Sequence, residues 1–209
     1  MKKVKEKDPK KVWSDLAKKE NLSDEQIKKI EMYANFLREW NQKINLTAIT
    51  TFTGMARQHF QDSIVLRNFL DLNIIKTIAD IGTGAGFPAI PLKIIFPHLN
   101  LILIEVNKKK QIFLHELIKV LELDNIEIVY FDWRTFLRKT EFDIDLFVTR
   151  AALDDHELCR MFRSNCFYRN KKLIYWGTND WLPNVKNEKY LKEQYSYKLN
   201  RTERKLFVF

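Results

Sequence analysis

"ADIGTGAGFPAIPL", residues Ala79 to Leu92, holds three of the chain's five glycines at alternate positions, Gly82, Gly84 and Gly86. A short apolar run over 77–81 precedes them. Pro88 and Pro91 follow, and they suit the first turn of a helix, where a missing N–H costs nothing. The pattern is a buried strand, a tight turn and a helix. In a parallel sheet such a turn lies at the carboxyl edge, where backbone can approach a ligand and the helix start offers free N–H groups.

Working outward, 101–104, 126–130, 145–148 and 173–176 read as further buried strands, and 204–209 as a last one after a polar segment over 177–200. Residues 108–121 read as a helix with Phe113, Leu117, Val120 and Leu121 on one face, and 154–167 as another. Continuously apolar strands alternating with helices predict an α/β fold: a Rossmann-like, mostly parallel twisted sheet with helices on both faces. Toward the N-terminus, Ser23-Asp24-Glu25-Gln26 is a capping box. Behind it Ile27, Ile30, Ala34 and Leu37 recur at helical spacing, giving an amphipathic helix to about Trp40. A second helical stretch covers 55–70, and residues 1–12 read as a frayed basic lead-in. The expected organisation is a helical extension over 1–75 and a ligand-binding core over 76–209, compact as one domain.

The 209 residues are 45% hydrophobic and 30% charged, ordinary values for a soluble domain. No apolar run approaches the roughly 18 residues of a membrane span, and the basic start lacks the apolar stretch of a secretory signal. Cys159 and Cys166 are too few for a disulfide framework, and the four histidines show no metal-ligand spacing. A cytoplasmic protein with no metal and no membrane partner is expected. The net charge of +9 suits a polyanionic partner, because each cation paired with a phosphate releases counterions. A solvated lysine-rich surface explains the charge equally well.

Two ligand classes use a glycine turn of this kind. A dinucleotide sets its pyrophosphate on the helix start with the spacing G-x-G-x-x-G. Here the spacing is G-x-G-x-G, with Asp80 two residues ahead. A carboxylate there repels a pyrophosphate and welcomes the cationic amino-acid end of S-adenosylmethionine, so that cofactor is the favoured reading. Glu105 closes the second strand 19 residues after Gly86, near the spacing that puts an acid on a ribose hydroxyl. That contact serves both classes. A turn used only for tight packing is the third alternative.

A methyl acceptor follows by elimination. Neither cysteine follows a proline, against C5 methylation of cytosine. No Pro-Pro exists, against the usual loop for amino-group methylation of adenine. The fourth strand runs instead into Arg150, whose fork of donors pairs with guanine O6 and N7 or with phosphate, or with a carboxylate on the strand edge. Guanine N7 carries a lone pair and no proton, so its methylation calls for positioning more than for a base. The segment 160–172 carries Arg160, Arg163, Arg169, Lys171 and Lys172, with Phe162, Phe167 and Tyr168 interleaved and no acid. It suits RNA backbone and unstacked bases, or a core face with solvated cations.

"WNQKINLTAI" (40–49), "HFQDS" (59–63), the glycine turn, "EVNKKKQIFL" (105–114), "LDNIEIV" (123–129), "FVTRAAL" (147–153) and "ERKLFVF" (203–209) occur in that order. Together they resemble the glucose-inhibited division protein B family of bacterial small-subunit rRNA guanine-N7 methyltransferases, over about residues 25–209. The resemblance implies a class I methyltransferase fold and transfer from S-adenosylmethionine to N7 of one guanine in 16S rRNA. The partner is then 16S rRNA or the small subunit, and the enzyme a monomer. It also implies that Gly82 and Phe87 line the cofactor turn, Glu105 takes the ribose, and Trp133-Arg134 flank the adenine. Arg150 stands at the junction of cofactor and substrate. Asn45, His59, Asp62 and Ser63 match motif positions that shape the site or brace the helical extension. Three positions depart from the family pattern: Ala89 replaces a glycine, Asp132-Trp133-Arg134 interchanges an arginine and an acid, and Trp176 replaces a lysine. Asp132 could itself accept from the adenine amino group, and Lys171 and Lys172 could carry the charge lost at 176. A methyltransferase of a small molecule or protein, and a nonenzymatic RNA-binding relative, are the competing readings.

Overall fold

The computed structural model describes residues 8–150, 157, 166–178, 180–181 and 188–209. Among them runs a seven-stranded sheet. Its parallel part, in spatial order, is β3 (Ile126–Val129), β2 (Asn100–Ile104), β1 (Thr77–Ile81), β4 (Leu146–Arg150) and β5 (Lys172–Thr178). β7 (Thr202–Val208) then pairs antiparallel with β5, and β6 (Glu193–Leu199) antiparallel with β7. The order reverses at β1, between β2 and β4, and a crevice at such a switch point is where open α/β sheets bind ligands.

Successive side chains alternate between the two faces. Ile78, Leu101, Leu103, Val148 and Ile174 join one core, shared with α1 (Pro9–Glu20), α2 (Asp24–Trp40), α5 (Ala89–Ile95) and α6 (Lys108–Val120). Ala79, Ile81, Ile102, Ile104 and Phe147 join the other, with Phe136 and Leu137 of α7 (Trp133–Lys139). The stretch predicted as one helix over 55–70 changes type along its length. It runs α3 (Phe52–Met55), a π turn over Ala56–Gln61, α4 (Asp62–Ile64) and a 3-10 turn over Val65–Asn68.

Several expectations are corrected. The lead-in is helical from Pro9: Asp8 caps Lys10 N–H, Pro9 stands at the helix start, and Val12, Trp13 and Leu16 are buried. The polar segment before the last strand contains β6, whose Tyr197 and Leu199 point inward while intervening residues face solvent. Val120 is exposed, and Leu114 takes the inward place beside Phe113 and Leu117. The capping box at Ser23 and Gln26 is present with both hydrogen bonds. The predicted helix over 154–167 falls outside the described residues except at 157, 166 and 167, and Cys159, Arg160 and Arg163 lie outside them. No helix among the described residues is long and apolar enough to cross a membrane, and no metal-ligating cluster occurs among them.

Candidate active site

The glycine turn leaves β1 at the carboxyl edge of the sheet, and all three glycines have positive φ, +69°, +61° and +94°. Their reasons differ. A Cβ on Gly86 would lie 2.6 Å from Ile90 Cδ1 and 2.7 Å from the Tyr33 hydroxyl, so this glycine serves packing between the turn and α2. Tyr33 also donates a hydrogen bond to the Ala85 carbonyl. A Cβ on Gly84 would meet nothing nearer than Gly82 O at 3.9 Å. Space is left open there by the protein itself.

Two carboxylates hold the turn. Glu105, at the end of β2, accepts from Gly84 N–H at 3.0 Å and from Asn107 N–H at 2.9 Å. Asp80 lies beneath the turn and is fully buried. Its Oδ2 accepts from Thr83 Oγ1 at 2.8 Å and from Ala89 N–H at 3.2 Å, while Oδ1 finds no donor. Burial pushes its pKa up to about 7, against those two hydrogen bonds and the charge of Arg150, which act to lower it. Open space over Gly84 and an orphaned acceptor below the turn fit an adenosyl ligand with a cationic end.

Beside the turn, Arg150 at the end of β4 gathers the N-terminal motif. Its Nη1 donates to Gln58 O at 3.1 Å and to Asp62 Oδ2 at 3.3 Å, and its Nη2 lies 3.3 Å from His59 Nδ1. The π turn carries Gln58 and His59, and such turns often mark functional segments. The guanidinium also stands 5.1 Å over the Phe87 ring. Phe87 is sandwiched between His59, 4.5 Å between centroids, and Tyr33, 4.9 Å. An arginine only donates, so His59 Nδ1 must accept, and the ring proton belongs on Nε2, 2.8 Å from Thr47 Oγ1. Burial and then Arg150 lower the His59 pKa to about 3. The imidazole is neutral, with its free lone pair committed.

Asp62 is the node behind Arg150. Buried almost completely, it also accepts from the Tyr197 hydroxyl at 2.7 Å through Oδ1, and Arg204 Nε lies 3.8 Å from that oxygen. Its backbone carbonyl takes the indole N–H of Trp176 at 2.8 Å. Gln58, Thr47, Tyr197 and Arg204 were not among the sequence candidates. Gln58 acts through its carbonyl, which leaves no side-chain signal. Thr47 and Arg204 sit in quoted motifs, and Tyr197 lies in the segment read as polar.

The remaining candidates are placed as follows. Ser63 is fully buried, and its hydroxyl donates to His59 O within the helix at 2.6 Å, so it faces no ligand here. Asn45 is exposed, in a cleft against the start of α6. Asp132 caps α7, accepting from the N–H groups of Arg134 and Thr135 and from the Thr135 hydroxyl. Trp133 is buried under Arg134, which stacks on it at 4.5 Å and pairs with Glu157. Trp176 is buried against Asp62, so the position that departs from the family lysine faces inward. Arg169, Lys171 and Lys172 stand at the start of β5, the opposite edge from the glycine turn. They cannot replace a charge at 176, roughly 13 Å along the strand from Lys172 at about 3.3 Å per residue. Tyr168 is core, its hydroxyl bound by Thr140 and by Phe142 N–H.

Known proteins resemble the chain in sequence and in fold. The chain is 42% identical over 114 residues to ribosomal RNA small subunit methyltransferase G of Aster yellows witches'-broom phytoplasma (strain AYWB), covering 54% of each chain. It is 39% identical over 134 residues to the protein of that name from Bacillus subtilis (strain 168), covering 63% of this chain and 56% of the relative. The chain thus spans about half the length of the curated relatives it matches. Among solved structures, ribosomal protein L11 methylase from Lactobacillus delbrueckii subsp. bulgaricus superposes with a TM-score of 0.53 at 14% identity, over 73% of this chain and 78% of that one. That likeness is one of fold, the class I methyltransferase sheet. The sequence profile of the GidB family, rRNA small subunit methyltransferase G, matches residues 26–195, and the chain belongs to that family.

Proposed function

We propose that the protein transfers a methyl group from S-adenosylmethionine to N7 of a guanine in 16S rRNA. The observation that carries this reading is the meeting, at one sheet edge, of an open glycine turn with Arg150, His59 and Phe87. Gly82, Gly84 and Glu105 would hold the cofactor's adenosyl part, and Asp80, buried and titrating near 7 without a ligand, would meet its cationic end as the ionised carboxylate. The bound cofactor supplies an electrophilic methyl group. The protein's own work is then positioning, because guanine N7 has no proton to lose. The neutral, committed His59 agrees with a site that needs no base. Contacts with described residues use three of the five N–H groups of Arg150, and the other two can reach guanine O6 or a phosphate. Phe87, buried and stacked between His59 and Tyr33, sets its ring against the Arg150 guanidinium.

The test is transfer in vitro. Purified protein, S-adenosylmethionine and small ribosomal subunits from cells lacking the gene should yield N7-methylguanine at a single 16S rRNA position. Cofactor binding without transfer to any RNA substrate would move the reading to another methyl acceptor. Absence of cofactor binding would favour a nonenzymatic RNA-binding relative.

A further inference from the structure

The cations expected to hold RNA, Arg169, Lys171 and Lys172, stand at the amino edge of the parallel strands, while the glycine turn and Arg150 stand at the carboxyl edge. A guanine entering beside Arg150 needs its flanking phosphates held at the carboxyl edge. A cleft of about 290 Å³ opens there, between the residues after α2 and the first turn of α6. Asn41, Lys43, Asn45, Asn107, Lys109 and Lys110 line it, and no carboxylate does. It is tied to the glycine turn through two bonds: Asn107 N–H and Gly84 N–H both donate to Glu105.

The start of α6 is unusual as a helix start. Its first three residues are Lys108, Lys109 and Lys110, with no acid in the first turn. A helix N-terminus carries partial positive charge, so each lysine there is unfavourable unless an anion answers it. Among the described residues none of the three forms an ion pair, and Lys108 and Lys109 are exposed. Lys43 does pair, with the exposed Glu39, a contact of the kind that yields readily to a phosphate. The amide of Asn41 shapes the cleft wall, bound to Leu46 and Thr47, and the exposed amide of Asn45 adds a neutral donor of the kind that fixes a sugar-phosphate chain without reading sequence.

We propose that this cleft, and not the 169–172 segment, grips the phosphodiester backbone of the RNA strand that presents its base to Arg150. The proposal rests on the RNA methyltransferase reading above. Lys109 and Lys110 are its main contacts, and Lys43 flanks them.

The experiment measures binding of a 16S rRNA transcript to the full chain over a range of salt, with S-adenosylmethionine affinity taken by calorimetry in parallel. The double variant Lys109→Gln, Lys110→Gln should flatten the log–log salt slope by about 1.4, at roughly 0.7 for each phosphate of single-stranded RNA left without its lysine. Its cofactor affinity should stay unchanged, and Lys109→Arg, Lys110→Arg should keep the slope. Arg169→Gln, Lys171→Gln should keep it too. An unchanged slope in a folded glutamine variant whose parent binds RNA overturns the cleft alone. A flattened slope in the Arg169, Lys171 variant instead returns the grip to the amino edge. A parent that binds cofactor but no RNA overturns both the cleft and the rRNA reading.

Discussion

At the scale of single residues, neighbouring glycines in one motif do different work, and substitutions should separate them. Gly86→Ala drives a methyl group into Ile90 and Tyr33, so it should lower stability by about 1–3 kcal/mol, as overpacking does, in urea denaturation. The Cβ of Gly84→Val meets nothing nearer than Gly82 O at 3.9 Å, and its expected cost in stability is the strain of a branched residue at φ +61°, about 1–3 kcal/mol. It should nonetheless abolish S-adenosylmethionine binding, because the side chain fills the ligand's space. Calorimetry with a folded variant checks this, and wild-type affinity would remove the ligand from the turn. Arg150→Lys tests orientation against charge. A lysine can keep one contact to Asp62 but cannot serve Gln58, Asp62 and His59 together and still offer paired donors. Turnover on saturating subunits should fall by on the order of 2–4 kcal/mol, the range seen when one oriented donor is removed. Single-turnover rates near those of the parent would reduce Arg150 to a bracing cation.

At the scale of elements, α1 is the piece whose attachment is least apparent from composition. Its lysines read as a solvated tail, yet Trp13 meets Phe52 and Phe60 edge to face, at 5.6 and 6.0 Å. Through Phe60 the same stack reaches Phe87 at 5.6 Å. Trp13→Ala should therefore cost about 3–5 kcal/mol, as for other buried large aromatics. A change below 1 kcal/mol in thermal or urea unfolding would show that α1 is not docked. The signal for α1 was present, since Asp8-Pro9 is a cap followed by a proline at the helix start. Its three inward residues are simply too few to stand out among lysines. The sheet was legible because buried parallel strands are continuous apolar runs. β6 escaped because it lies at the sheet's edge, where alternation of Tyr195, Tyr197 and Leu199 with polar residues mimics a loop. The glycine turn and Glu105 were legible from spacing. The bond network around Asp62 was not, because it joins Asp62 to Arg150, 88 residues later, and to Tyr197, 135 residues later. Periodicity carries no information about pairing over such separations.

At the scale of the whole molecule, two buried groups with opposed titrations set how stability answers pH. Asp80 titrates near pH 7 in the folded chain and near 3.8 when free, so over that interval the folded state holds a proton the unfolded state has lost. Its contribution falls as pH rises from about 4 to 7. His59 titrates near 3 folded and near 6.5 free, so from 3 to 6.5 the unfolded state holds the extra proton. Its contribution rises with pH over that range. Between about pH 4 and 6.5 the two slopes oppose each other, each as steep as about 1.4 kcal/mol per pH unit. Single variants should uncover them. Asp80→Asn keeps the shape and removes the titration, so its stability relative to the parent should rise with pH from 4.5 to 6.5. His59→Gln should show the reverse, with relative stability falling over the same range. Urea unfolding of the three proteins at pH 4.5, 5.5 and 6.5 reads both slopes. Parallel curves for all three would mean that neither group is held in the protonation state its burial dictates, the neutral acid under the glycine turn and the neutral imidazole against Arg150.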